Sequence, residues 1–159
     1  MDLSACSVAE LLRLHAATLA ELRDRRIVRT ANAPAGDLAE LLVVRTTGGE
    51  LADNAQKSWD VFVGEGEGVR LQVKARLVDD MKDNAKRQLS PIRTWDFDFL
   101  IAVLFDEHYV VRQAARVHVD AVKDAATWRT HVNGWVVFAN QGLLRHGEDW
   151  TAKLRAVVL

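Results

Sequence analysis

Three side chains near the middle of the chain carry a chemistry that can be read from type and spacing: Asp60, Gln72 and Lys74. Between the first two lies Gly64-Glu65-Gly66-Glu67-Gly68. Its spacing does not suit a dinucleotide loop and its glutamates would repel a phosphate, so it reads as a hairpin turn. With the turn centred on Gly66, Asp60 faces Gln72, and directly opposed residues share a face about 5 Å apart at Cβ. Lys74 follows on the same face, flanked by Arg70 and Arg76. A carboxylate, a second oxygen donor and a lysine so grouped are what metal-assisted cleavage of a phosphodiester needs. Hard oxygen ligands hold Mg²⁺, which neutralises phosphate charge, and a fixed ammonium orients or helps deprotonate the attacking water. A register slip of one residue would send Asp60 to the opposite face.

The elements that must hold these residues follow from periodicity. From Val69 to Val78 the chain alternates, with Val69, Leu71, Val73, Ala75 and Leu77 on one side and Arg70, Gln72, Lys74 and Arg76 on the other. Asp60 to Val63 is its short partner strand. Phe97 to Phe105 is an apolar run without helical gaps, a buried central strand, and Tyr109 to Val117 pairs with it. Upstream, Ser7 and Glu10 form a capping box for a helix with Val8, Leu11, Leu12, Leu19 and Leu22 at helical spacing and Arg23, Arg25 and Arg26 at its end. Ala31 to Gly36 is a connection. A second helix covers Asp37 to Thr46, with Leu38, Leu41 and Leu42 inward and Gly48-Gly49 stopping it, and Glu50 to Ser58 is a polar loop. Asp79 to Arg93 is mainly loop. Val119 to Trp128 reads as helix, Gly134 to Ala139 as strand, and Glu148 to Val158 as helix. The order predicts one α+β (mixed-sheet α/β) domain, a central mixed β-sheet flanked by helices. Its parts are an N-terminal helix in residues 1–30, a core in 36–117 and a completing strand and helices in 118–159.

Asp60 followed by Gln72-Val73-Lys74 resembles the catalytic core of the PD-(D/E)XK nuclease superfamily, the restriction-endonuclease-like fold, in a Gln variant similar to Mrr-type restriction endonucleases. The resemblance spans roughly Gly36 to Phe105, under half of the chain. It implies that Asp60 binds the metal, that Lys74 is catalytic, and that a glutamate on the helix before the first core strand assists at the metal. Glu40 in Asp37-Leu38-Ala39-Glu40-Leu41-Leu42 occupies that place. Two departures stand out. Trp59 replaces the proline before Asp60, and Gln72 replaces the usual acid. An amide oxygen can coordinate Mg²⁺ but adds no charge, so Gln72 is an auxiliary ligand beside Asp60 and Glu40. Each residue also has a plain structural reading. Lys74 can be a solvated lysine on an edge strand, Asp60 a loop carboxylate, Glu40 a surface helix residue, and Gln72 a hydrogen-bonding partner of a neighbouring strand.

The whole chain has 159 residues with 21 Lys and Arg against 22 Asp and Glu, a formal charge of −1, which argues against coating nucleic acid non-specifically. Between Arg70 and Arg93, however, seven Lys or Arg face three Asp, a local balance of +4. Arg76, Arg87 and Gln88 are expected to hold a phosphate backbone there, with Gln56 and Lys57 adding a contact at the same mouth. No apolar run of about 18 residues exists, so no membrane span is expected. The N-terminus lacks a basic stretch leading into an apolar one, so a cytoplasmic setting is expected. Cys6, the single cysteine, rules out an internal disulfide and a cysteine zinc cage.

Other constellations fail. The five histidines show no metal-ligand spacing, and no Gly-x-Ser-x-Gly elbow is present. Trp128, Trp135 and Trp150 read as core or interface residues, with stacking on a base as the alternative. The expectation is a Mg²⁺-dependent endonuclease, with Mn²⁺ as substitute, acting on DNA (or RNA) as a homodimer or with a larger protein partner. Bacterial defence or DNA repair follows by family analogy alone. The alternatives are an inactive nuclease-like module binding nucleic acid or protein, and an interaction protein with an accidental motif.

Overall fold

The computed structural model describes residues 2–29, 34–53 and 58–158, and in α1 it leaves out the side chains of Ala9 and Leu12. Helix α1 (Val8–Asp24) starts on the expected reciprocal cap, with Glu10 N–H donating to Ser7 and Ser7 N–H donating to the Glu10 carboxylate at 2.8 Å. Its apolar row stays open: Val8, Leu11 and Leu14 are all exposed. Helix α2 (Ala35–Thr47) begins two residues earlier than its apolar pattern suggests and ends at Gly48, whose φ of 68° is the left-handed conformation a side chain disfavours. Ala35, Leu38, Ala39, Leu42 and Val43 form its buried face, and Leu41 is only half-buried.

The segment expected as a polar loop opens with a short strand, β1 (Glu50–Leu51), paired to β2 (Val61–Val63). Strand β2 returns through the glycine turn into β3 (Val69–Leu77), with Val61 opposite Leu71 and Val63 opposite Val69. That register is centred on Gly66, as the spacing required. Gly68 is obligatory in it, because a Cβ there would lie 2.5 Å from the Val63 carbonyl oxygen. Strand β3 pairs in parallel with β4 (Phe99–Phe105), and β4 pairs antiparallel with β5 (Val111–His118). Arg70 fixes the start of the parallel pairing: its backbone N–H donates to Asp98 Oδ2 at 2.8 Å, and its guanidinium pairs with Asp98 and Asp96.

The last third departs most from its pattern. Helix α3 (Val119–Ala125) stops before Trp128, which instead sits in β6 (Thr127–Arg129), paired with β7 (Gly134–Val136) as a separate two-stranded sheet. The short helix α4 (Gln141–Leu144) was not expected. Glu148 and Asp149 form β8 on the far edge of the main sheet, and only Thr151–Arg155 is helical, as α5. The resulting mixed sheet has the order β1-β2-β3-β4-β5-β8 and is flanked by helices. On one face Ile101, Val103 and Phe105 pack against α2 and α5; on the other Leu100, Ala102 and Leu104 pack against α3, α4 and the segment carrying Leu89 and Ile92. Among the described residues, no helix is long and apolar enough to cross a membrane.

Candidate active site

Asp60 stands just before β2, held by its backbone: its N–H donates to Leu71 O at 2.8 Å and its carbonyl accepts Ala52 N–H at 2.8 Å. That fixes its side chain toward β3. Asp60 Oδ2 accepts the backbone N–H of Val73 at 2.7 Å and the side-chain amide of Gln72. Gln72 is 5% exposed, and Lys74, two residues further on, is half-buried. Strand β3 is interior to the sheet, so Lys74 is not the solvated edge lysine of the plain reading. The pairs Gln72–Leu100 and Lys74–Ala102 put both side chains on the face of Leu100, Ala102, Leu89 and Ile92.

Glu40 arrives from α2. Next to the fully buried Ala39, its side chain is 14% exposed and pairs with the guanidinium of Arg29. Arg29 is tied down in turn: its backbone N–H donates to Asp37 Oδ2 at 2.7 Å and its Nη1 reaches Ala52 O at 3.4 Å. Arg29 is the residue of this cluster that sequence reasoning missed. It follows a run of arginines that reads as helix-end cations, and only the return of the chain over Glu40 gives it a role.

The groups sense one another. Burial first, then the Asp60 charge, pushes the Glu40 carboxyl up to about 7, against the pull of Arg29. Burial also raises Asp60, opposed by the Val73 N–H, the Lys74 ammonium and the Gln72 amide. Lys74 is lowered, chiefly by burial and slightly by Arg93, while Asp60 and Glu40 hold its proton on. Asp60 thus touches Gln72, Glu40 touches Arg29, and the charges of Asp60, Glu40 and Lys74 act on one another from partly buried positions.

The expected backbone-holding residues do not all reach it. Arg76 is exposed further along β3. Arg87 is a correction: it is only 5% exposed and donates to Met81 O, Ala139 O at 3.3 Å and Gln113 Oε1 at 3.4 Å, so its guanidinium knits loops together instead of facing a phosphate. Three acceptor oxygens stabilise the guanidinium where it lies, and moving it out would take that donor away from them. Gln88 is half-buried and its backbone bridges to Phe138. Lys57, like Gln56, lies outside the described residues. A cavity of about 600 Å³ elsewhere, between the end of α2 and α5, includes none of the cluster.

Asp60, Glu40 and Gln72 are the residues that could hold a divalent cation. Among the described residues, no group of three or more His, Cys, Asp or Glu could hold a metal ion. The buried pair of Asp60 and Glu40 is nevertheless a hard-oxygen set whose mutual repulsion a cation would relieve, and Gln72 could add an amide oxygen. In the present arrangement Gln72 gives Asp60 its nitrogen, and the cation seated on Glu40 is Arg29.

No family model matches the chain, and no curated protein matches it. Among solved structures, a bacterial homing endonuclease is similar to it, with 20% sequence identity, a TM-score of 0.45, and coverage of 77% of this chain and 90% of that one.

Proposed function

We propose that this chain is a metal-dependent nuclease of the PD-(D/E)XK kind, hydrolysing phosphodiester bonds in DNA. The observation that carries the reading is the convergence of Glu40, Asp60, Gln72 and Lys74 from three separate segments into one charge-coupled cluster. Asp60 and Glu40 are the anionic ligands for Mg²⁺ or Mn²⁺, and Gln72 is the neutral one. The metal when bound supplies Lewis-acid stabilisation of charge on the phosphate. Lys74 orients the attacking water and stabilises the developing negative charge, and burial lowers its proton affinity while Asp60 and Glu40 hold its proton on. Arg76, exposed at the outer end of the same strand face, is the candidate phosphate contact. With one such cluster per chain, double-strand cleavage calls for two copies or a larger partner. Action on nucleic acid in a cytoplasmic defence or repair setting belongs to the same proposal.

One arrangement favours a second reading, an inert descendant that binds without cutting. The amide at position 72 and the guanidinium on Glu40 leave the cluster formally neutral before any metal arrives, with Arg29 and Lys74 balancing Glu40 and Asp60. The test is a Mn²⁺-supplemented cleavage assay on supercoiled plasmid and on RNA, with the wild type beside Lys74→Ala. Nicking by the wild type alone is expected. Equal cleavage by both proteins would remove Lys74 from catalysis. Calorimetry with Mn²⁺ separates the readings: the nuclease shows metal binding abolished by Asp60→Asn, and the inert module shows none.

A further inference from the structure

The hairpin β6–β7 sits on the same face of the sheet as Lys74. Its Trp135 exchanges backbone hydrogen bonds with Ile92 at 2.9 Å in both directions, and Ile92 packs in the cluster of Leu100 and Ala102. Arg93, the next residue, donates to Asn133 O at 2.8 Å in the hairpin's turn and lies near enough to Lys74 to repel its ammonium. Gly134 permits the close approach, since a Cβ there would meet Ile92 O at 2.9 Å. The hairpin is therefore anchored to the site and not merely adjacent in sequence to α3.

What the hairpin presents is unusual for a solvated turn. Trp128 is 46% exposed and stands edge-on to Trp135 at 4.7 Å between ring centroids. Trp135 in turn contacts Trp95 at 5.1 Å, and Trp95 contacts Phe97 at 6.0 Å, so the outer indole rests on a ladder of rings that reaches the core. Such a ring is rigid without being covered. From Thr127 to Asn133 the chain reads Thr-Trp-Arg-Thr-His-Val-Asn, with no acid, and Arg129, Thr130, His131 and Asn133 are exposed. A preorganised aromatic face with cationic and hydrogen-bonding neighbours matches a nucleobase and its phosphate, and stacking tolerates any base because each has a π-face.

We infer that the β6–β7 hairpin is a nucleic-acid platform on which Trp128 stacks an unpaired base while Arg129 and Arg93 contact the flanking phosphates. This rests on the nuclease reading of the same face and deepens it: the preferred substrate carries single-stranded or splayed nucleotides beside the cleavage point. A base inside a continuous duplex is already stacked on both sides and offers no free face.

The test is fluorescence anisotropy with a short labelled single-stranded DNA, and with the blunt duplex of the same sequence, in EDTA so that nothing is cut. Trp128→Leu keeps an apolar contact with Trp135 but removes the π-face, and Trp128→Phe restores one. Single-strand affinity is expected to fall about tenfold in Trp128→Leu, in the range one stacked base supplies, and to return largely in Trp128→Phe. Duplex affinity should barely change. Equal single-strand affinity of wild type and Trp128→Leu, or no single-strand binding by the wild type, overturns the platform. The two ideas fail separately. Trp128-dependent binding by a protein that never cleaves with Mn²⁺ sinks the nuclease and keeps the platform. Cleavage with single-strand binding indifferent to Trp128 does the reverse.

Discussion

Gln72 donates its amide to Oδ2 of Asp60, the same oxygen that accepts the Val73 backbone N–H at 2.7 Å. Two donors on one oxygen hold the carboxylate in a single orientation and favour its anion, partly offsetting the effect of burial. Gln72 is thus a positioning group for Asp60 in the metal-free state, a role an ionised acid at that place could not perform.

Changing the amide to an acid should therefore act in opposite directions with and without metal. Gln72→Glu replaces a donor with a like charge, and about 1–3 kcal/mol of stability should be lost in EDTA. In Mn²⁺ the added charge should tighten binding by about tenfold, or ~1.4 kcal/mol, and recover stability. Urea melts and calorimetry on both proteins check this. Unchanged Mn²⁺ affinity would place position 72 away from any metal.

Glu40 gives a pH signature. Its carboxyl titrates at about 7 in the folded chain against an ordinary 4.5, so the native state holds that proton more tightly than the unfolded state. The resulting stability is complete below about 4.5 and disappears as pH rises through about 7. Relative to Glu40→Gln, the wild type should lose on the order of 2 kcal/mol between pH 5 and pH 8. Arg29→Ala should cost more at pH 8, where Glu40 is charged, than at pH 5. Parallel denaturant curves for wild type and variants would contradict this placement of Glu40.

Gly68 tests the register that brings the cluster together. A Cβ at this position meets Val63 O at 2.5 Å and the Phe62 ring at 2.7 Å, both parts of the paired strand. Gly68→Ala should destabilise by about 1–3 kcal/mol through overpacking. Because the hairpin aligns Asp60 with Gln72, metal binding should weaken too. Thermal melts and Mn²⁺ calorimetry on the same preparation read both effects.

Arg87 separates structure from function. Arg87→Met removes donors from Met81 O and Ala139 O and should cost about 2–4 kcal/mol. DNA affinity of the folded variant should stay at the wild-type level. A steep loss of affinity without loss of stability would return Arg87 to the binding surface.

The hairpin was legible because its signals are local: period-two alternation, a glycine turn and a countable register place Asp60 opposite Gln72 with no long-range knowledge. Glu40 was legible only through resemblance, since nothing in α2 distinguishes it from any other glutamate on a helix. Arg29, the fate of Arg87 and the position of Trp128 were not legible at all. Each depends on a pairing that no alternation or turn signal announces, Arg29 with Glu40, Arg87 with Ala139, Trp128 with Trp135, and periodicity carries no information about such contacts. Trp128 shows the physical reason most clearly. The apolar spacing after Val119 continues a helix, but bridging of Ile92 to Trp135 provides a strand partner, and tertiary pairing overrides propensity.

The main sheet ends on both sides in strands of two residues, β1 with Glu50 and β8 with Glu148 and Asp149. So short a border offers an incoming strand too few backbone groups to zip onto. Edge-to-edge growth is thereby discouraged, which protects a protein with a long apolar central strand from fibre-like association. Any assembly of two copies for cutting both strands of a duplex must then be built through side chains of helices or loops, not by continuing the sheet from one molecule into the next.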